Sequence, residues 1–437
     1  MKRFFCSKNA VTKMQGVIIA VIIAGAAIAG GAYYYFTLPE PPPAKEEIVI
    51  GWAHGITGYL APQVQTLHIY YKWIIEDYNE KGGLYVPEYD KRLPISYIEY
   101  DDESSIEKTL SLTEKLITVD EVDLIFAPCS TAFAFAAFPL YEQYNYPVIA
   151  VSFGSDIAAE KMRTGEYNYS FSVLGLPGEV GSEMTDLFQH INTSIAPLTS
   201  VGIIYHADQH GVEYSSAMYT YLTMAGFQVL PPQSYPPTIA SFIPLVNDLK
   251  DANVDVAILC GYEGADFIHT CMTQDFNPKL LVIGPSMETP ALVYGPFGFT
   301  HDSVKGVAFY DGWPATAYNT PELEAWANEH VERWGPIPGL YDSYPYPASA
   351  TFYASLECVF QAVEKVGLDR EKIRDALVTE TFDTIIGEVK IRPGYSMQCE
   401  LGGTITQWQG RDVMDVIWPL DAKSGDIIYP KPAWPSG

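Results

Sequence analysis

Little in this chain is arranged for bond-breaking chemistry. It has no Gly-x-Ser-x-Gly elbow, no His-Glu-x-x-His pair and no phosphate-binding glycine loop, so an extracellular hydrolase is the weakest functional class. What remains suits holding a solute. Ser130 follows the apolar run VDLIFA and opens the helical run TAFAFAAF. A hydroxyl beside the N–H groups of a first helical turn can hold a carboxylate, and the same hydroxyl can equally do no more than cap the helix. His206 and His210 stand four apart, a spacing that invites a metal. The residues nearby do not complete a ligand set, so neither metal nor cofactor is expected. Asp101 and Asp102 close an apolar run and read as a brace for the next loop, not as catalytic carboxylates.

The elements that must position these residues alternate. Residues 48–53 (IVIGWA) form a first strand, and 62–80 a helix stopped by Lys81-Gly82-Gly83. LPISYIEY leads to Asp101, and 106–118 repeats apolar residues at helical spacing before VDLIFA. TAFAFAAFPLYEQY is the next helix and YPVIAV the next strand. The cycle restarts after residue 175, with SVGIIYHA, FQVL, VDVAILC and KLLVIG as strands between helices. From 306 come GVAFYDGW, two long helices, REKIRDALVTE and a β-rich end reaching Trp418. Short β-branched runs alternating with amphipathic stretches predict α/β lobes, parallel sheets flanked by helices. Lobe 1 is expected over 47–172 and 306–380, and lobe 2 over 173–305 and 381–430.

The amino-terminal residues place these lobes outside the cell. Lys2, Arg3, Lys8 and Lys13 precede an uncharged stretch containing GVIIAVIIAGAAIAGGAYYYF. Roughly 20 helical residues span about 30 Å, the thickness of a hydrocarbon core. Basic residues only before the span keep the amino terminus in the cytoplasm, and Tyr33, Tyr34 and Tyr35 fit an outer aromatic belt. The expectation is a cytoplasmic tail (1–13), a transmembrane anchor (14–37) and a Pro-rich stalk (38–46). A cleaved signal peptide has a shorter apolar core and a small-residue cleavage site; unusual processing near 13–16 stays open. With 53 Asp+Glu against 26 Lys+Arg and a net charge of −27, the chain is unsuited to nucleic acid or an anionic membrane surface. The six cysteines, Cys6, Cys129, Cys260, Cys271, Cys358 and Cys399, lack zinc-like spacing.

The ordered strings IGWAHGITGYLAP, DYNEKGGL, EYDDESS, APCSTAFAFAAFPLYEQYNYPVIAVS, DQHGVEYSSA, LKDANVDVAILCGY and GTITQWQGRDVMDVIWP resemble the leucine/isoleucine/valine-type periplasmic solute-binding proteins of ABC transporters, from about 48 to 419. The resemblance implies a type I fold, two doubly wound lobes joined by three crossings, in an archaeal-style membrane-anchored form. It implies a carboxylate contact at Ser130, completed by the loop Phe153-Gly154, where amino-acid binders tend to have Thr at the Gly154 position. It implies that Tyr59, in the loop GITGYL, and Tyr262 line the cleft, and that His210 stands where a Tyr would cover the solute. Trp313, after GVAF, could add a wall near Asp311. The ammonium-pairing Glu that follows Gly-Pro in amino-acid binders is here Ser286, in GPSMETP. Glu288 must therefore swing in, Glu263 must substitute, or the ligand is not an α-amino acid. Cys129 matches half of a disulfide whose partner position falls near Ser104, so that bridge is not expected.

These features imply a receptor that hands a branched-chain or hydrophobic amino acid, or a small amide or carboxylate, to permease and ATPase subunits. The alternative is a sensor of the same fold. Only 13 residues precede the span, so a sensor would signal through a separate membrane partner.

Overall fold

The computed structural model describes residues 45–172, 174–285, 297, 299–310, 321–334, 347–395, 404–410 and 413–435. The expected tail, anchor and most of the stalk lie outside the described residues. Among the described residues, no helix is long and apolar enough to cross a membrane.

The first sheet system begins with β1 (Ile48–His54), followed by the hairpin of β2 (Leu84–Val86) and β3 (Lys91–Leu93). Then come β4 (Ile95–Asp101) and β5 (Leu124–Ile125), which flank β1 in parallel, and the parallel pair β6 (Val148–Ala150) and β7 (Ser170–Ser172). Helices Ala61–Glu80, Ile106–Thr118 and Thr131–Tyr144 connect these strands. Because β1 is buried along nearly its whole length, it is apolar on both faces, as a parallel strand covered by helices must be. Ser105 caps Ile106–Thr118 by accepting from Lys108 N, which fixes that boundary at the position its sequence predicts.

The second sheet contains β8 (Ser200–His206), β9 (Gln228–Val229), β10 (Gln233–Tyr235), β11 (Val256–Cys260), β12 (Leu280–Gly284) and β13 (Val307–Tyr310), all parallel. Two late strand pairs then separate. β14 (Phe382–Thr384) and β15 (Gly387–Val389) form an antiparallel ribbon whose Phe382, Ile386 and Val389 join the apolar core around β1. In contrast, β16 (Ile405–Gly410) pairs antiparallel with β13, and β17 (Val413–Trp418) with β16, extending the second sheet.

Two expected assignments change as a result. Val307–Tyr310 was expected with the first lobe, but its hydrogen bonds to β12 put it in the second sheet. Residues 382–391 were expected with the second lobe, but their apolar side chains are buried in the first core. Helix Pro347–Val366 supplies much of that core, and Trp326 of helix Pro321–Trp334 stacks on Trp73 at 5.0 Å.

Candidate functional site

Parallel strands aim their carboxyl ends, and the helix N-termini that follow, in one direction. The loop after β5 reaches Ser130, whose backbone lies at φ 81°, ψ 142°, a conformation costing a non-glycine residue about 1–3 kcal/mol. Its carbonyl starts helix Thr131–Tyr144 by accepting from Ala134 N at 3.0 Å, but its hydroxyl makes no cap bond. Ser130 Oγ instead lies 3.2 Å from Tyr262 Oη, which follows β11 of the second sheet. Because Tyr262 Oη donates its single proton to Asp208 Oδ2 at 3.0 Å, Ser130 must be the donor in the first contact. This chain of hydroxyls ties the two sheet systems together at their strand ends.

The second sheet brings an imidazole between two carboxylates to the same place. His206, the last residue of β8, is fully buried, with Nδ1 3.3 Å from Asp208 Oδ2 and Nε2 3.9 Å from Glu263 Oε1. Its ring stacks on Tyr59 at 6.0 Å and stands edge-on to Tyr262 at 5.2 Å and to Tyr235 at 5.3 Å. Tyr235 Oη donates to Glu263 Oε2 at 2.5 Å. Burial alone would raise Asp208, yet His206, His210 and the Gly211 N–H together hold its carboxyl below the usual range. Burial dominates at Glu263 and raises it, only partly offset by Tyr235 and His206. Burial also raises the Tyr59 and Tyr262 phenols, and the acids Asp208 and Glu263 add to this at Tyr59.

A clasp completes the junction. From helix Gln209–Met224, Glu213 Oε1 accepts from Ser155 Oγ at 2.6 Å, and its Oε2 accepts from the N–H groups of Asp156 at 2.8 Å and Ile157 at 3.3 Å. The carboxylate thus sits at the N-terminus of helix Asp156–Arg163, where the helix dipole favours it. Above it, a Cβ built on Gly154 would strike Tyr214 Oη and the Gly175 carbonyl. Tyr214 Oη donates to that carbonyl at 2.5 Å. The Thr expected by resemblance at 154 therefore has no room here.

The expected residues divide. Ser130, Tyr59 and Tyr262 come together. Gly154 contributes backbone, its N–H 3.4 Å from Thr131 Oγ1. Phe153 does not line the site: its side chain is wholly buried and packs on Phe138 at 4.7 Å, within the first system's core. His210 does not cover it either. That ring is enclosed in the second system's core, stacked on Tyr214 at 4.1 Å with Nε2 3.3 Å from Tyr310 Oη, and burial lowers its pKa to about 4. Ser286, Glu288 and Trp313 lie outside the described residues. Sequence reasoning missed Asp208, Tyr235 and Glu213, and it weighed His206 only as a metal ligand. Asp208, Tyr235 and His206 carry one shared signal, lying at or just after a strand's carboxyl end. No group of side chains able to hold a metal occurs among the described residues; Cys129, Cys260, Cys271 and Cys358 are buried, and no disulfide joins described residues.

Two α/β sheet systems whose parallel strands bring their carboxyl ends together are the architecture of a two-lobed binding protein. The chain belongs to the periplasmic binding protein family, whose model matches residues 47–412, and its fold is the type I α/β fold of that family. A Leu/Ile/Val-binding protein homolog 7 of Brucella abortus is 24% identical over 384 residues, covering 82% of this chain and 88% of that one. A leucine-binding protein of Thermotoga maritima superposes with a TM-score of 0.70 at 16% identity, covering 84% of this chain and 97% of that one. A branched-chain amino acid transporter substrate-binding protein of Streptococcus pneumoniae, in complex with isoleucine, gives 0.69 at 15%, covering 88% and 100%. A solute-binding protein of R. palustris in complex with benzoate gives 0.68 at 17%, covering 84% and 95%.

Proposed function

We propose that this chain is the extracytoplasmic receptor of an ABC importer and captures a hydrophobic amino acid, or a related small amide or carboxylate, in a cleft between two lobes. The observation that carries the reading is the Ser130–Tyr262–Asp208 chain, which joins the two systems at their strand ends. Strained, buried Ser130 opens a helix whose first-turn N–H groups can meet a carboxylate, its hydroxyl turning from Tyr262 when solute binds, and Tyr59 offers a ring beside it. Closure of the lobes would enclose the solute from both sides, with Glu213 fastening them. In this reading the lobes divide along the two sheet systems, residues 14–37 anchor the chain, and permease and ATPase subunits are its partners. The reading is also supported by the family and by similarity to receptors named for leucine and solved with isoleucine or benzoate. Calorimetric titration of the purified chain with hydrophobic amino acids, their amides and aromatic carboxylates tests it. Saturable one-to-one binding of at least one member is expected; heat of binding from none of them would reject the reading.

A further inference from the structure

We infer that His54 and Tyr71 are positioning residues for the solute site: by donating together to the Ala127 carbonyl they hold the Ser130 loop and the Tyr59 loop in the arrangement that receives a solute. The inference rests on the receptor reading above and extends it to residues buried behind the site.

The Ser130 loop needs a hold from outside itself. Ser130 lies at φ 81°, and such a backbone persists only where its surroundings over-determine it. β5 ends at Ile125, and Phe126 N makes one more bond to β1, to Gly51 O at 3.0 Å. Beyond that bond the chain is held by a carbonyl. Ala127 O accepts from Tyr71 Oη at 3.0 Å and from His54 Nε2 at 3.0 Å, and all three residues are fully buried. A carbonyl only accepts, so the imidazole carries hydrogen on Nε2. Because Pro128 follows, this carbonyl belongs to a peptide bond whose next φ is locked at about −65°. A peptide plane fixed by two donors, followed by a ring that cannot rotate, sets the direction in which Cys129 and Ser130 leave.

His54 reaches the other cleft loop as well. It ends β1, and its own carbonyl accepts from Ile56 N at 2.8 Å and from Asp102 N at 2.9 Å. Asp102 Oδ1 accepts from Ser104 N at 2.8 Å, and Ser104 Oγ accepts from Leu60 N, next to Tyr59, at 3.1 Å. One residue therefore joins the two first-system loops that bring Ser130 and Tyr59 to the site. Its ring is seated in turn against Tyr71 at 5.1 Å, and Tyr71 packs on Phe126 at 4.7 Å. Burying a hydroxyl and an imidazole brings no stability unless each is bonded, and both place a hydrogen on this single carbonyl.

The test titrates the full chain in detergent with L-leucine, L-isoleucine, their amides and benzoate. Tyr71→Phe keeps the ring and removes one donor; it should weaken whichever of these binds about ten-fold in calorimetry, with the melting temperature within a few degrees. His54→Leu should weaken binding similarly, and His54→Gln, whose amide N–H can reach the carbonyl, should restore most of the loss. The losses in Tyr71→Phe and Ser130→Ala should fall short of additive when combined, a coupling that destabilisation of the fold alone would not produce. If Tyr71→Phe does not fold, the two His54 variants decide. Parent-like affinity in both Tyr71→Phe and His54→Leu, or losses that add fully to that of Ser130→Ala, overturns the inference and leaves the receptor standing. A parent chain that binds none of these solutes overturns both.

Discussion

Glu213 links ligand affinity to closure in a way that can be measured. Its carboxylate takes three donors across the junction, from Ser155 Oγ, Asp156 N and Ile157 N, at 2.6, 2.8 and 3.3 Å. All three are partly solvent-exposed, so each is worth less than the 1.5–3 kcal/mol of a buried charged hydrogen bond, and the helix dipole adds about 0.5 kcal/mol. A net closure energy of about 2 kcal/mol is reasonable, corresponding to about thirty-fold in the closed-to-open ratio. Glu213→Ala should therefore weaken ligand binding about thirty-fold by calorimetry, mostly through faster dissociation. Small-angle scattering of the ligand-free chain should show a larger radius of gyration. Unchanged affinity and radius would refute the clasp.

Three further outcomes follow from the same geometry. Gly154→Thr should destabilise the fold by about 1–3 kcal/mol in thermal melting, because its Cβ meets Tyr214 Oη and the Gly175 carbonyl; adding Tyr214→Phe should recover part of the loss. Ser130→Ala removes the hydroxyl that joins Tyr262 and should weaken binding of a carboxylate-bearing solute about ten-fold, while leaving the melting temperature within a few degrees. Burial lowers His54 and His210 to about 4 from 6.5. The folded state keeps both neutral where the unfolded chain takes up protons, so stability is full above pH 6.5 and falls as the pH drops towards 4. Each contributes up to about 3 kcal/mol, and urea unfolding of His210→Gln should show a shallower acid loss than the parent.

Local signals were readable in the sequence. Helix Ile106–Thr118 follows a capping serine, and VAILC and LLVIG are apolar on both faces because parallel strands there are covered on both sides. Ser130 could be picked out because a strand end meets a helix start. Long-range returns were not readable. Nothing in the periodicity of 382–391 says which core its Phe382 and Val389 will join, and nothing in GVAFY says that β13 pairs with β12. Phe153 shows the same limit: an aromatic in a strand-end loop can turn inward or outward, and here its packing on Phe138 decides. The grouping of His206, Asp208, Tyr235 and Glu263 arises from two loops and the register that sets Tyr235 beside His206, which only the assembled sheet brings together.

The most direct test of the account is a crystal structure of the chain with whichever amino acid binds in the calorimetric series. The account predicts the solute's carboxylate within about one hydrogen bond of Ser130, at the start of helix Thr131–Tyr144, and its side chain against Tyr59. A solute bound away from Ser130 and Tyr262 would contradict it.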